Sequence, residues 1–330
     1  MDIELLRERS RIIKQVRSFF DSHDYLETDT PLLSPDLIPE SCLEVFQTLR
    51  LSPKGSLTPD KPCWLVPSPE IWMKRLIAQH RVNLYQICKC FRNGESSGRW
   101  HSPEFTMLEY YTMQADYTDS LKLTEELFAF LLGDGGENKN ERAELSPPFI
   151  KITMEEAFSR WAGFDLYKSA ESQPAMEEEA RKLGLCPLTG LSVPELYDLI
   201  FIHAVEPNLK LERPVAIVDY PAFVPCLAKK RSGGKTVERW ELYVRGIELA
   251  NCYSEETSAE EVRAFFENEK AEKEKNALVP HKTDDDYWKL FSPKEKPFPK
   301  CSGVAMGLDR LIMVLTGRKS IDGVLPFPTF

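Results

Sequence analysis

Three stretches of the 330-residue chain gather side chains able to handle phosphate, metal and ammonium groups. In the first, Phe105, Met107, Glu109 and Tyr111 share one parity, so on a strand an aromatic ring, a carboxylate and a phenol project from the same face. Arg92, Glu95 and His101 lie on the hairpin leading into that strand. A guanidinium matches phosphate oxygens bidentately and resists deprotonation, so this group suits a triphosphate. Ordinary surface charge beside a turn is the other reading of the same spacing.

The second stretch holds Glu241, Glu248, Asn251 and Glu255 in a largely apolar run, where an unpaired buried carboxylate is costly and calls for a cationic partner. Mg²⁺ takes one or two carboxylates plus substrate phosphates, and the remaining acids can cage an ammonium. Glu241 and Glu248 are seven apart, so alternation along one strand puts them on opposite faces. A bend or bulge near Gly246 has to re-aim one of them if both bind metal. A solvated strand face with ordinary salt bridges remains the competing account. In the third stretch, Cys301 to Arg310, Gly303 and Gly307 permit close backbone approach and Arg310 lies near a helix N-terminus, a place favourable to anions. Neither the P-loop nor the Rossmann glycine pattern occurs, so a nucleotide needs a different cradle.

These side chains need a scaffold, and its outline follows from periodicity. Residues 2–23 carry Leu5, Leu6, Ile12, Ile13, Val16, Phe19 and Phe20 at helical spacing with arginines and lysines between them. An extended segment from Tyr25 to Leu33 follows, confined by Pro31 to an edge or an interface. Residues 52–62 have loop composition, and 83–93 with 103–113 form a long antiparallel hairpin. A helix over 118–132 comes next. Capping boxes Thr153 with Glu156 and Ser192 with Glu195 open helices at 153–162 and 192–205, with another at 173–184. Residues 214–224 and 236–250 read as strands, Ser258 starts a charged helix to about Leu278, and Gly303–Gly307 is a strand running into a helix. The class is α+β: one domain over 1–330, with an antiparallel sheet flanked by helices and a largely helical insertion at 114–205.

Composition narrows the partners. Asp and Glu total 52 against 42 Lys and Arg, and the net charge of −10 opposes non-specific nucleic-acid binding. The N-terminus lacks a signal-peptide pattern, and no stretch approaches the roughly 18 apolar residues of a membrane span. A cytoplasmic protein is expected. Its eight cysteines are scattered without zinc or redox spacing and read as reduced thiols.

In this order the segments resemble the three signature motifs of class II aminoacyl-tRNA synthetases: the long helix with Pro31, then Phe91 to Glu95 with Arg99 to Glu109, then Gly303 to Arg310. The wording is most similar to lysyl-tRNA synthetase in Ser68-Pro69-Glu70, in Pro103 to Glu109, and in Glu248-Leu249-Ala250-Asn251 with Glu255. Motif 1 begins at the first residues, leaving no room for an anticodon-binding domain. With Ala305 where the synthetases carry a second glycine, the chain is more similar to the elongation factor P lysyltransferase family. Ser102 and Cys252 depart from the usual Asn and Gly, and motif 2 has Arg-x-Gly-Glu spacing.

That resemblance implies ATP-dependent activation of lysine, with (R)-β-lysine preferred, and transfer to a lysine side chain of elongation factor P. It implies catalytic roles for Arg92 and Arg310, which contact phosphate. ATP is implied to rest on Arg92, Glu95, His101, Ser102, Phe105, Glu248, Leu249, Gly307 and Arg310, and Mg²⁺ on Glu241 and Glu248. The amino acid is implied to meet Ser68, Pro69, Glu70, Glu109, Tyr111, Asn251, Glu255 and Ala305. The methyl of Ala305 at the pocket floor bears on the choice between α- and β-lysine. A homodimer through motif 1 is also implied, and tRNA is not the expected partner. The alternatives are a truncated synthetase-like amino-acid:AMP ligase with another acceptor, and an inactive regulatory paralogue. The paralogue predicts loss of motif arginines or metal acids, all of which are present.

Overall fold

A computed structural model describes residues 3–51, 59–94, 98–133, 144–293 and 295–328. Their contacts fall into two compact units, Met1–Ala115 with Glu255–Phe330, and Asp116–Ser254.

The first unit opens with helix α1, Ile3–Ser22, whose buried stripe is Leu5, Arg9, Ile12, Val16, Phe19 and Phe20. Two-residue strands β1, Leu26–Glu27, and β2, Leu33–Ser34, follow. Strands β3, Gln47–Leu51, and β4, Pro59–Leu65, join β2 in a small sheet of order β2-β4-β3, with Leu37, Val45, Trp64 and Val66 packed together beside it. The expected loop at 52–62 is therefore a strand from Pro59 onward, while 52–58 lie outside the described residues. Helix α2, Glu70–His80, presents Ile71, Met73, Lys74 and Ile77 inward and ends at Arg81 in the left-handed conformation.

Strands β5, Leu84–Phe91, and β6, Glu104–Met113, make the expected hairpin. β1 pairs parallel to β5, at the edge that Pro31 foretold. The hairpin has two faces. Tyr85 and its partner Tyr110 take the ring of Phe20 from α1 at centroid distances of 4.9 Å each. Burying each such side chain contributes roughly 1.5–3 kcal/mol, which fixes the hairpin to α1 and leaves its other face for chemistry. The charged helix α8, Ala259–Asn276, and strand β11, Cys301–Gly307, running into α9, Leu308–Leu315, complete the unit. β11 lies antiparallel to β6.

The second unit carries helix α3, Tyr117–Leu132, capped by Asp116, and strands β7, Ile150–Thr153, β8, Val215–Pro221, β9, Thr236–Val244, and β10, Ile247–Ser254. Both expected capping boxes are present, at the starts of α4, Met154–Ala157, and α7, Val193–Ile200, each helix passing into a π-turn. Short α5, Leu166–Ser169, and α6, Gln173–Lys182, lie between them. These helices bury Phe158, Leu166, Met176, Leu196, Ile200 and Val205 against Val215 and Ile217 of β8.

One expectation fails here. Residues 236–250 are not one strand but most of a hairpin, turned at Arg245 and Gly246, whose φ values of 55° and 77° make a tight two-residue connection.

Candidate functional site

The face of the β5–β6 hairpin away from α1 is assembled by register. Phe105, Met107, Glu109 and Tyr111 on β6 stand opposite Cys90, Cys88, Gln86 and Leu84 on β5. On β11, Gly307, Ala305 and Gly303 stand opposite Met107, Glu109 and Tyr111. Motifs read separately in the sequence thus share one sheet face. Ala305 sits directly across from Glu109.

Gly303 is required by space. A Cβ there would lie 2.5 Å from the Tyr111 ring and 2.6 Å from Glu255 Oε1, closer than side-chain atoms approach. Tyr111 Oη donates to Glu109 Oε1 at 2.7 Å, and Ser68 Oγ donates to Glu109 Oε2 at 2.7 Å. The Glu70 amide donates to the same Ser68 Oγ at 3.1 Å, which fixes the first turn of α2 to the pocket, with Pro69 in its N-cap.

At the centre is a residue the sequence did not single out. Lys74 Nζ lies 2.5 Å from Glu70 Oε1 and 2.5 Å from Glu255 Oε2, with the lysine and Glu255 side chains each only 1% exposed. Glu255 Oε1 is buried without a hydrogen-bond partner among the described residues. Burial pushes the Glu255 carboxyl up to about 8, aided by the charges of Glu70 and Glu109 and opposed by Lys74. Burial, with Glu70 beside it, likewise pushes Glu109 up to about 7 against the hydrogen bonds from Ser68 and Tyr111. The pocket holds a cationic alkylammonium already and keeps an acceptor open.

The residues expected to handle phosphate lie along the same unit. The Arg92 guanidinium sits over the Phe105 ring, 5.3 Å from its centroid, and the Arg92 backbone N–H bonds to Pro103. Arg310 Nε donates to the Trp100 carbonyl at 3.0 Å, and Gly307 precedes α9. His101 bridges to Gly98, and Ser102 is buried. Glu95 lies outside the described residues. A second unforeseen residue, Arg9 on α1, reaches Asp309 Oδ1 at 2.6 Å and Thr106 Oγ1 at 3.0 Å, while Asp309 Oδ2 accepts from the Thr106 amide at 2.6 Å. This buried network joins the three motifs below the site. Arg9 occupies an apolar-stripe position of α1, the one signal that could have revealed it.

In the second unit, the β9–β10 hairpin corrects the parity argument for Glu241 and Glu248. Glu248 pairs with Tyr243 and Asn251 with Glu241, and the register shifts between Glu248 and Ala250. The bend expected near Gly246 is the Arg245-Gly246 turn itself, which sets Glu248 opposite Tyr243 and so on the face of Glu241, and the bulge at Leu249 then brings Asn251 to that same face. Glu241 is held by Arg239 Nη2 at 2.7 Å and by Tyr243 Oη at 2.7 Å. Asn251 Oδ1 is buried without a partner among the described residues. Two carboxylates and an orphaned amide oxygen on one face are an oxygen set that fits Mg²⁺.

Among the described residues all eight cysteines are free, and Cys88 and Cys90 approach to 3.8 Å between sulfurs. Among those residues, no helix is long and apolar enough to cross a membrane.

The motif order, the antiparallel sheet face and the α+β architecture define a class, and the chain belongs to it: the family model for class II tRNA synthetases (D, K and N) matches residues 3–330. Within that class the chain is similar to proteins named "Elongation factor P--(R)-beta-lysine ligase". The one from Avibacterium paragallinarum is 34% identical over 326 residues, covering 98% of this chain and 95% of the relative. Those from Vibrio atlanticus (332 residues) and Proteus mirabilis (328 residues) are each 33% identical, covering 99% and 98% of this chain and 96% and 95% of the relatives.

Proposed function

We propose that this protein is an AMP-forming ligase that activates lysine, with (R)-β-lysine preferred, and transfers it to a lysine side chain of elongation factor P. The dry acidic pocket carries the proposal. Glu70, Glu109 and Glu255 converge around an ammonium, two of them are held near neutrality, and one oxygen is open. A diamino acid satisfies that arrangement. The shared name of relatives at about one-third identity over nearly their whole length supports elongation factor P as the acceptor and β-lysine as the donor.

In the proposed reaction Arg92, steadied on Phe105, holds the substrate carboxylate and the ATP α-phosphate. The carboxylate attacks the α-phosphorus, the bond to the bridging oxygen of the β-phosphate breaks, and pyrophosphate leaves. Arg310 and His101 hold the phosphate tail, with Ser102, Leu249 and Gly307 lining the nucleotide, Phe105 stacking on adenine and Glu95 reading its amino group. Glu70 takes the amino group nearer the carboxylate, and Glu109, Tyr111 and Glu255 take the far one. Mg²⁺ supplies neutralisation of phosphate charge; Glu241 and Glu248 with Asn251 would hold it. The acceptor amine then attacks the carbonyl carbon of the aminoacyl adenylate, AMP departs, and the amine's proton passes to solvent. No protein nucleophile is needed, because positioning and charge stabilisation lower the barrier.

The test is pyrophosphate exchange with α-lysine and with (R)-β-lysine, followed by mass measurement of elongation factor P and tRNA. The expected outcome is exchange with both, stronger with (R)-β-lysine, and one lysyl residue gained by elongation factor P. Charging of tRNA without that gain overturns the acceptor. A homodimer through α1 and the segment to Leu33 and residence in the cytoplasm belong to the same proposal; a monomer at micromolar concentration in ultracentrifugation would contradict the dimer.

A further inference from the structure

We propose that Lys74 is a positioning residue of the amino-acid pocket: a fixed internal counter-cation that ties Glu70 to Glu255 and tunes the cluster to a substrate with two ammonium groups. The proposal deepens the lysine-activating function above and rests on it.

Lysines on globular proteins keep the ammonium in water and bury only the stem. Lys74 does the opposite, with 1% of its side chain exposed and its ammonium on two carboxylates from distant parts of the chain. One partner, Glu70, is a helical neighbour at i−4 and could pair at a surface. The other, Glu255, comes from the segment leading to α8 and is equally dry.

Charge counting gives the bridge a purpose. Glu70, Glu109 and Glu255 carry three negative charges when ionised, and Lys74 cancels one. Two remain, equal to the two ammonium groups of lysine or β-lysine, whose carboxylate goes to Arg92. Glu40, the next acid, is pushed up to about 7 by burial and by the charge of Glu70, against Arg92 and Lys273, and so adds less than a full negative charge near neutral pH. Without Lys74 the cluster would relieve its repulsion by taking up protons, and a protonated carboxyl is a poor acceptor for an ammonium. The bridge also sets direction: with Oε2 on Lys74, Glu255 Oε1 is held over Gly303 beside Tyr111.

The experiment compares Lys74→Ala and Lys74→Met with the wild-type enzyme in pyrophosphate exchange, reading KM for (R)-β-lysine and for ATP separately. The lysine KM is expected to rise about 100-fold or more, because one partner of a buried charge cluster is lost, while the ATP KM stays within about twofold. Propylammonium is expected to restore at least a tenth of wild-type efficiency to Lys74→Ala, and propanol, of the same size but uncharged, is not. An unchanged lysine KM, or equal rescue by propanol, overturns the proposal in favour of packing. Should both variants misfold, a structure of the wild-type enzyme with (R)-β-lysine bound decides: Lys74 must still bridge Glu70 and Glu255, and its departure to solvent overturns the proposal. A wild-type enzyme that activates neither lysine isomer sinks the function instead, so the two failures are told apart.

Discussion

Two groups of glutamates in this protein are managed in opposite ways. In the first unit Glu109 and Glu255 are dry, raised towards neutral pH and balanced by a lysine that is itself buried. On the β9–β10 hairpin of the second unit, Glu241 is 12% exposed and held by an arginine and a tyrosine on the same strand. The first group is poised to exchange protons for ammonium groups, since its ionised form is costly until a cation arrives. The second is paired with a guanidinium and presents oxygens beside an unpartnered amide oxygen, a set that suits a hard divalent cation. Identical side chains are thus assigned to different cations by desolvation and by the fixed charge beside them.

The sharpest way to break this contrast is Glu255→Gln. It removes one of the two negative charges paired with Lys74 and the negative charge facing the substrate ammonium, so kcat/KM for lysine should fall about 10²–10³-fold with ATP binding retained; calorimetry with ATP and exchange with lysine check the two halves. Glu248→Gln should act on the other cation, raising the Mg²⁺ concentration for half-maximal exchange about 10–100-fold and leaving the lysine KM nearly unchanged. An equal effect of both substitutions on both ligands would dissolve the distinction.

A smaller effect comes from pH. At pH 6 Glu109 and Glu255, with values of about 7 and about 8, hold protons that an ammonium must displace. The lysine KM should therefore fall as pH rises from 6 to 8, by up to about tenfold per unit where one proton is released. Without ligand the sign is reversed for stability. These carboxyls bind protons more tightly folded than unfolded, so their contribution is greatest in acid and is lost as pH rises towards 8. The gain in Tm on adding lysine should consequently grow from pH 6 to pH 8, and a flat response would contradict the pocket electrostatics. The smallest effect is Ala305→Gly: removal of one methyl opposite Glu109 should shift the ratio of α- to β-lysine activation by about tenfold at most.

Features encoded by neighbours in sequence were legible. The α1 stripe, the β5–β6 hairpin and the boxes at Thr153 and Ser192 each rest on spacings of two to four residues. Features that depend on partners far along the chain were not. Arg9 and Lys74 are charged residues within apolar faces, and periodicity alone counts them as solvated; only Asp309 and Glu255 explain their burial. The Arg245-Gly246 turn was missed for a different reason. It lacks the Asn-Gly or Asp-Gly signal, and its mark is only a change of phase in the apolar alternation, from Trp240, Leu242 and Val244 to Ile247 and Leu249. Nor did the Ser68-Pro69-Glu70 sequence announce a helix, since Pro69 stands at the N-cap without a capping side chain.

The Arg9–Asp309 pair also sets an order of events during synthesis. Asp116–Ser254 is one uninterrupted stretch with its own core, whereas the unit holding Arg9 is built from both ends of the chain. As the polypeptide leaves the ribosome, α1 emerges early with an arginine whose counter-charge is encoded among the last residues, and Arg9 Nη1 also reaches the Val324 carbonyl at 3.5 Å. The middle segment can condense while Arg9 still waits for Asp309. The acidic pocket is therefore completed only by the last part of the chain, and a product ending before Glu255 lacks Glu255, Gly303 and Ala305 and has no working pocket.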